Sequence, residues 1–175
     1  MKRIVFCIAL LTLISCTAQK KEIPAIKDID GNLIGIAHKK DFLQEPYLSW
    51  FSSNYNDYNI DSNILKELTP FLKNVTVKGF MGTWCEDSQQ QTPAFYKILD
   101  NANFDYKNFE LITVDRNKTT PDNLQAGFEI EYVPTFIFYK DGKEIGRFVE
   151  YPRETIEEDI LKIVSGLAYK HSYEE

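Results

Sequence analysis

The hydrophobic pattern is clearest after residue 60, where segments with helical spacing of apolar residues alternate with short apolar runs. In the helical segments, apolar residues recur three and four positions apart, which is the spacing of one buried helix face. The short runs are rich in valine, isoleucine and aromatic residues and end at turn signals, as buried strands do. These patterns predict helices over residues 62–73, 86–102, 120–128 and 153–167, and strands over residues 75–81, 109–114, 133–139 and 144–149.

The order of these elements predicts the fold class. A strand, a helix and a second strand in succession imply a right-handed crossover and parallel pairing. Asp141-Gly142 is a hairpin turn signal, so the strand that follows it should add an antiparallel edge. We therefore expect an α/β domain with a mixed central sheet and helices on both faces.

The pattern is weaker before residue 61. The turn signal Asp30-Gly31-Asn32 predicts a short hairpin between residues 25–29 and 33–37. The segment that follows is rich in aromatic side chains, and we interpret it as a packed helix and a loop. Aromatic residues of this kind usually cover a core, and we prefer that interpretation to a ligand platform.

The first 16 residues have the pattern of an export signal. A positively charged start is followed by an apolar run over residues 4–14, which is too short to cross a bilayer of about 30 Å as a helix. Leu13-Ile14-Ser15-Cys16, directly at its end, resembles the lipobox of bacterial lipoproteins. The resemblance implies cleavage before Cys16 and acylation of Cys16; an ordinary signal with an incidental cysteine is the alternative.

These features together divide the chain. Thr17 follows the predicted anchor, and in many lipoproteins a residue other than aspartate there implies the outer membrane. We expect a protein of the cell envelope that faces the periplasm and is held to the membrane by Cys16. The predicted parts are a signal peptide (1–15), a lipidated N-terminus and tether (16–27), an N-terminal extension packed on the domain (28–61) and the main domain (62–170).

The charge of the chain limits its partners. Cleavage would remove Lys2 and Arg3 from 20 basic residues, leaving 18 against 26 acidic ones, a net charge of −8. Such a domain is not attracted to nucleic acid by charge. The two histidines, His38 and His171, are far apart in the sequence and are expected at the surface. We expect no metal, no cofactor and no nucleic acid, and a monomer.

The cysteines set the candidate chemistry. Cys7 would leave with the signal and Cys16 would be acylated, so Cys85 would be the only free thiol of the mature chain. It therefore cannot form an intramolecular disulfide. A lone thiol in an exported protein is reactive, pairs with another molecule, or is an inert buried residue.

Cys85 lies in the motif Trp84-Cys85-Glu86-Asp87-Ser88, between a predicted strand and a predicted helix. The unpaired N–H groups and the positive dipole end of a helix N-terminus favour the thiolate, which is the nucleophilic form. The negative charges of Glu86 and Asp87 oppose this effect by raising the pKa of the thiol. The sequence does not decide which of the two effects is larger. Trp84 would shield one side of the sulfur.

Residues 62–167 resemble the thioredoxin superfamily. The similarity rests on Trp84-Cys85 at the strand–helix junction, on Pro93 eight residues later, where the family kinks its helix, and on Val133-Pro134-Thr135, which resembles the family's cis-proline loop. It implies a thioredoxin-like fold. It also implies that a client chain pairs with the backbone of that loop beside Cys85.

Three positions hold residues that differ from the usual pattern of the family. The family's second cysteine is Ser88 here, and the buried acid six residues before the first cysteine is replaced by Gly79. Glu150, in the turn after the hairpin, stands where the family commonly has glycine. Glu150 is a candidate for client binding, although a solvated surface acid is the more ordinary interpretation.

The functional prediction is a monothiol thiol–disulfide oxidoreductase or isomerase. Cys85 would form mixed disulfides with protein or small-molecule thiols and disulfides of the envelope, and Ser88 would donate a hydrogen bond to its thiolate. Because serine cannot resolve a mixed disulfide, a second molecule must do so. The alternative is a redox-inactive binding or chaperone-like module that holds an extended client along the Pro134 edge.

Overall fold

A computed structural model describes residues 24–175, so the predicted signal peptide and Cys16 lie outside the described residues. None of the helices of residues 24–175 has the length and apolar character that crossing a membrane requires. Short 3-10 helices cover Lys39–Phe42 and Tyr106–Asn108. The other elements are β1 (Ile26–Lys27), β2 (Leu33–Ala37), α1 (Leu48–Asp57), α2 (Ser62–Phe71), β3 (Val75–Met81), α3 (Glu86–Asn101), β4 (Phe109–Thr113), β5 (Thr135–Lys140), β6 (Lys143–Val149) and α4 (Ile156–Ser165).

The strands form one mixed sheet in the order β1-β2-β4-β3-β5-β6. β3 and β4 are parallel, with α3 as the connection between them, and the other pairs are antiparallel. This confirms the predicted α/β class and mixed sheet. Because β3 is central and runs parallel to β4, the chain leaves both strands at the same edge of the sheet, and β5 begins there.

The helix ends follow local side-chain chemistry. The Asp61 carboxylate caps α2 by accepting hydrogen bonds from the backbone N–H groups of Asn63 (2.7 Å) and Ile64 (3.3 Å). Thr155 caps α4 in the same way, and Gly166 ends that helix at φ 77°. The predicted helix over residues 62–73 begins where α2 begins and ends two residues too late, and the predicted helix over residues 153–167 begins three residues too early and ends two too late.

All four helices contribute to the core on one face of the sheet. Phe51 of α1, Leu68 of α2, Phe95 of α3 and Ile160 of α4 are almost fully buried in the same cluster. The cluster continues through the aromatic residues of the N-terminal region: Phe42 stacks on Phe51 at 5.5 Å between ring centroids. The aromatic side chains before residue 60 thus cover the core, as expected.

The second face of the sheet is covered differently from the prediction. The helix predicted over residues 120–128 is wrong: this segment is a series of turns. Asn123 and Gly127 have φ values of 53° and 83°, which a right-handed helix does not allow. The Thr120 hydroxyl accepts the Leu124 N–H at 2.8 Å, so a local turn replaces the first helical hydrogen bonds. Turns, rather than a helix, therefore pack on the strands of this face.

The N-terminal hairpin belongs to the same sheet. β1 pairs with β2 as the turn signal predicts, and β2 pairs antiparallel with β4. The Leu33 N–H donates to the Thr83 hydroxyl at 3.1 Å, which ties β2 to the turn that precedes Cys85. The predicted domain boundaries at residues 28 and 62 stay predictions.

Candidate thiol site at Cys85

Cys85 lies at the junction between β3 and α3. Its N–H donates to the Gly82 carbonyl at 3.0 Å, which closes the turn between strand and helix. Its own carbonyl accepts the Gln89 N–H at 2.9 Å, so Cys85 is the N-cap residue of α3. The side chain is partly exposed. A nucleophile at this position is accessible and faces the free N–H groups of the first helical turn.

The structure brings Cys85 together with the predicted proline loop. The Cys85 thiol donates to the Val133 carbonyl at 3.2 Å between Sγ and oxygen. The peptide bond between Val133 and Pro134 is cis. The Pro134 carbonyl in turn accepts the Glu150 N–H at 2.7 Å. Two hydrogen bonds thus join the Cys85 sulfur to the cis-proline loop and that loop to the turn at Glu150.

The predicted loop residues have different roles in this arrangement. Val133 is 2% exposed and packs in the core of the second face. Thr135 is also buried, and its hydroxyl donates to the Tyr132 carbonyl at 2.7 Å. β5 begins at Thr135, two residues later than predicted, because Val133 and Pro134 form the loop. Both side chains are buried, so they fix the course of the loop backbone, and client binding at Val133 and Thr135 stays a prediction.

Ser88 is fully buried in the first turn of α3. Its hydroxyl oxygen accepts the Gly82 N–H at 3.2 Å. Among the hydrogen bonds of residues 24–175 none joins Ser88 to Cys85, so the expected hydrogen bond to the sulfur is not present in this structure. Ser88 instead fixes the turn that presents Cys85.

Trp84 is fixed beside the sulfur by two contacts. Its indole N–H donates to the Val114 carbonyl at 2.9 Å, and the Arg116 guanidinium lies over its ring at 5.3 Å from the centroid. The second contact is a cation–π interaction, which also places a positive charge next to the site. The indole therefore forms a fixed wall of the site.

Replacing Gly82 with alanine is expected to lower the free energy of unfolding by about 1–3 kcal/mol, the usual cost of overpacking. An alanine Cβ would lie 2.6 Å from Nε1 of Trp84, so the ring would have to leave its hydrogen bond with Val114. Equilibrium urea unfolding measures the change. Gly127→Ala is the control, because its Cβ would meet nothing within 4 Å and only its positive φ carries a cost. A smaller loss for Gly82→Ala than for the control would contradict the prediction.

Gly79 stands at the position where the thioredoxin superfamily has a buried acid, and the space around it is too small for an acidic side chain. A Cβ at this position would lie 2.8 Å from Cδ1 of Leu111 and 3.0 Å from Cδ1 of Phe136. Apolar side chains thus fill the space that a carboxyl group would need. The site therefore has no proton acceptor at this position.

The charged groups around the site come from three segments. Burial and the negative charge of Asp87 raise the pKa of Glu150, and Lys118 opposes that rise. Arg116 and Lys118 are not predicted as site residues by the sequence pattern. Both lie in the tight turn that Asp115 organises by accepting the backbone N–H groups of residues 117 and 119. The sequence signal for this turn is an aspartate directly after a predicted strand, which is typical of an Asx turn.

A partly exposed cysteine at a helix N-terminus, placed after a central strand and against a cis-proline loop, defines a thioredoxin-fold thiol site. Residues 54–162 match the Thioredoxin family, which is more than half of the chain. The chain therefore belongs to the thioredoxin family, whose chemistry is thiol–disulfide exchange.

Individual relatives agree with this assignment. The chain is 30% identical to the thioredoxin of Mus musculus over 88 residues, which cover 50% of this chain and 78% of that protein. It is 31% identical to the thioredoxin of Staphylococcus saprophyticus over 108 residues, which cover 61% of this chain and 91% of that protein. A solved structure of a protein of unknown function from Pseudomonas aeruginosa has a TM-score of 0.57 at 16% identity, covering 74% of this chain and 92% of that one. This last likeness shows the fold alone.

Proposed function

We propose that this protein is a lipid-anchored thiol–disulfide oxidoreductase or isomerase of the cell envelope, which acts through Cys85 alone. The observation that carries the proposal is the position of the Cys85 sulfur. It is accessible, lies at the start of α3 and contacts the backbone of the cis-proline loop, while the second motif position holds a buried serine.

The reaction begins when the Cys85 thiolate attacks one sulfur of a client disulfide. A new bond forms between Sγ and that sulfur, the client's S–S bond breaks, and the other client sulfur leaves as a thiolate that takes a proton from water. The product is a mixed disulfide between Cys85 and the client. No net oxidation occurs in this step.

A second thiol completes the cycle, because Ser88 cannot attack the mixed disulfide. A different client thiolate can attack the client sulfur of the mixed disulfide, which forms a new client disulfide, breaks the bond to Sγ and releases Cys85 as a thiolate, so that the client is isomerised. A small thiol can instead attack Sγ and release the reduced client, and a second small thiol then frees Cys85, with the disulfide of the two small thiols as the oxidised product. Both routes suit one cysteine better than the internal dithiol cycle does.

The location rests on sequence features outside the described residues. Cys16 would carry the acyl chains, with the outer membrane as the expected site and the domain facing the periplasm. Thiols and disulfides of proteins or small molecules in that compartment would be the partners. Disulfide chemistry is suited to such an oxidising location.

The test is turnover of a peptide–glutathione mixed disulfide in the presence of free glutathione. The unaltered chain is expected to accelerate the exchange by at least about tenfold over the reaction without protein. Cys85→Ser should reduce it to the uncatalysed rate, since the hydroxyl does not attack disulfides. A chain carrying Ser53→Ala, an exposed serine of α1, serves as the control and should keep full activity.

The redox-inactive alternative gives a different outcome in the same samples. If the unaltered chain and Cys85→Ser give equal rates, the oxidoreductase proposal is wrong. Retained binding of a reduced, unfolded peptide by Cys85→Ala would then favour the binding module, in which the Pro134 edge holds a client without covalent chemistry.

A further inference from the structure

The C-terminal tail, residues 167–175, returns from the end of α4 to the candidate site. Its first anchor is Tyr169, whose hydroxyl donates to the Asp159 carboxylate at 3.2 Å. Asp159 is fully buried and also accepts the Arg153 N–H at 2.8 Å. This part of the tail is joined to the core.

The second part of the tail is held by the segment after β6. The Arg153 guanidinium donates to the His171 carbonyl at 2.8 Å and to the Glu174 carbonyl. The Ser172 hydroxyl donates to the Tyr151 carbonyl. These contacts place residue 173 between the turn at Glu150 and the loop that precedes Pro134.

Tyr173 contacts both sides of the space it enters. Its ring lies parallel to that of Tyr132, with 3.8 Å between centroids and an interplanar angle of 8°. Its hydroxyl donates to the Glu150 carboxylate. The edge of Tyr151 completes the contact at 5.9 Å. Ring stacking and a hydroxyl–carboxylate hydrogen bond together select for tyrosine: phenylalanine lacks the hydroxyl, and serine lacks the ring.

The two sides of this space are the flanks of the thiol site. Tyr132 directly precedes Val133, whose carbonyl accepts the Cys85 thiol, and Glu150 bonds through its N–H to Pro134. Glu150 also has φ 61°, a conformation in which a side chain carries a cost that glycine avoids. A carboxylate is thus present at a position where the backbone favours glycine.

Beyond these contacts of Tyr173, the tail is loosely docked on this surface. Tyr173 remains 40% exposed. A cavity of about 490 Å³ lies between the tail, the loop before Pro134 and β6, with Tyr132, Thr135, Val149 and Tyr173 among its lining residues. A segment that is anchored at Tyr169, largely exposed beyond it and separated from the sheet by open space can leave without disturbing the core.

We propose that Tyr132, Glu150 and Tyr151 form a tyrosine-binding subsite of the client groove, which takes a tyrosine from an extended client segment and is filled by Tyr173 when no client is bound. The inference rests on the proposed function, since it assigns the groove to a client of Cys85. The tail then competes with clients, and a client must displace Tyr173 before its disulfide reaches the sulfur.

The first test measures how fast Cys85 exchanges with a tyrosine-containing peptide disulfide. Tyr173→Ala in the full chain, and a chain ending after Lys170 that keeps Tyr169, should each react about three- to tenfold faster than the unaltered chain. The rate of alkylation by iodoacetamide should stay within about twofold, because this small reagent needs no groove. Equal peptide rates in all three proteins would overturn the proposal.

A matched control is available at the other end of the sheet. Tyr106 is 38% exposed and donates to the Asp100 carboxylate at 2.6 Å, much as Tyr173 donates to Glu150. It precedes β4, so it lies at the edge opposite Cys85. Tyr106→Ala should leave the peptide rate unchanged. An equal acceleration in this variant would mean that the Tyr173 effect is general loosening, and would also overturn the proposal.

The second test does not depend on redox chemistry. A synthetic peptide of residues 171–175 is titrated into Cys85→Ser protein that ends after Lys170, and binding is followed by NMR at the Tyr132 and Glu150 amides. The peptide should bind, and its version with alanine in place of Tyr173 should bind at least about tenfold more weakly. Binding without any disulfide exchange by the unaltered chain refutes the proposed function and leaves the subsite standing. Exchange without peptide binding refutes the subsite alone.

Discussion

Phe95→Ala is expected to lower the free energy of unfolding by about 3–5 kcal/mol, the usual cost of removing a fully buried phenylalanine. Phe95 lies on α3 and has no exposed surface. Its ring is stacked on Phe136 of β5 at 4.0 Å between centroids and meets the edge of Phe109 at 5.5 Å. The substitution removes this apolar area and leaves a cavity, because rings on both the helix and the sheet would have to move to fill it.

Equilibrium urea unfolding followed by circular dichroism measures the loss. Phe71→Ala is the matched control, because Phe71 is also a phenylalanine in a helix, but it is 43% exposed. Its replacement should cost less than about 1 kcal/mol. Similar losses for the two variants would contradict the assignment of Phe95 to the contact that holds α3, and with it Cys85, on the sheet.

The region around Phe95 shows how far the sequence determines this fold. The predicted strand 75–81 coincides with β3, and the predicted helix 86–102 ends one residue later than α3. Both segments are long, periodic and bounded by a turn, so local physics and tertiary packing favour the same structure. The proximity of Cys85 to Pro134 followed from the same strand order together with the family resemblance.

In residues 120–128 the sequence pattern predicts the wrong structure. Thr-Pro-Asp is a good helix start, but Asn123 and Gly127 adopt left-handed conformations and end the helix before it forms. The choice is made by tertiary packing, since Leu124 and Phe128 reach the second face of the sheet from turns. Periodicity alone does not contain that information.

Contacts between side chains that are distant in the chain are also not predictable from the sequence pattern. No sequence pattern distinguishes Tyr173, because its partners Tyr132 and Glu150 are far away in the chain. Ser88 was expected to point to Cys85, whereas the turn places the Gly82 N–H against its hydroxyl. Such pairs depend on the path of the backbone, which a residue pattern does not specify.

Ser88→Cys is expected to convert the site into a dithiol and to raise the reduction of protein disulfides by about 100-fold over the unaltered chain, with dithiothreitol as the electron source. Cys85 is the N-cap of α3 and Ser88 is the third residue of the helix. Residues three apart in the first turn of a helix have Cα atoms about 5–6 Å apart, which is within the range that a disulfide bridges. The new thiolate can therefore attack the mixed disulfide at Sγ of Cys85, release the reduced client and leave a disulfide between positions 85 and 88.

Two features of the structure limit the gain in activity that Ser88→Cys can bring. The new sulfur would replace a buried hydroxyl that accepts the Gly82 N–H, and sulfur is a weaker acceptor, so some stability should be lost. Gly79 supplies no acid to take the second thiol's proton, and the apolar atoms around it leave no space for one. The rate should therefore rise with pH as the second thiol ionises, and level off only above the pKa of that thiol.

Insulin reduction and thiol counting after mild oxidation together decide the outcome. Ser88→Cys should show rapid precipitation of reduced insulin and no free thiol within residues 24–175 after oxidation. Ser88→Ala is the matched control, because it removes the hydroxyl without adding a thiol and should show no gain in activity over the unaltered chain. If Ser88→Cys keeps two free thiols after oxidation, the first turn of α3 does not bring the two positions together, and the buried location of Ser88 isolates it from Cys85. If it forms the disulfide but gains no activity, the single cysteine is not what limits this protein, and the client groove with its bound tail is the remaining barrier.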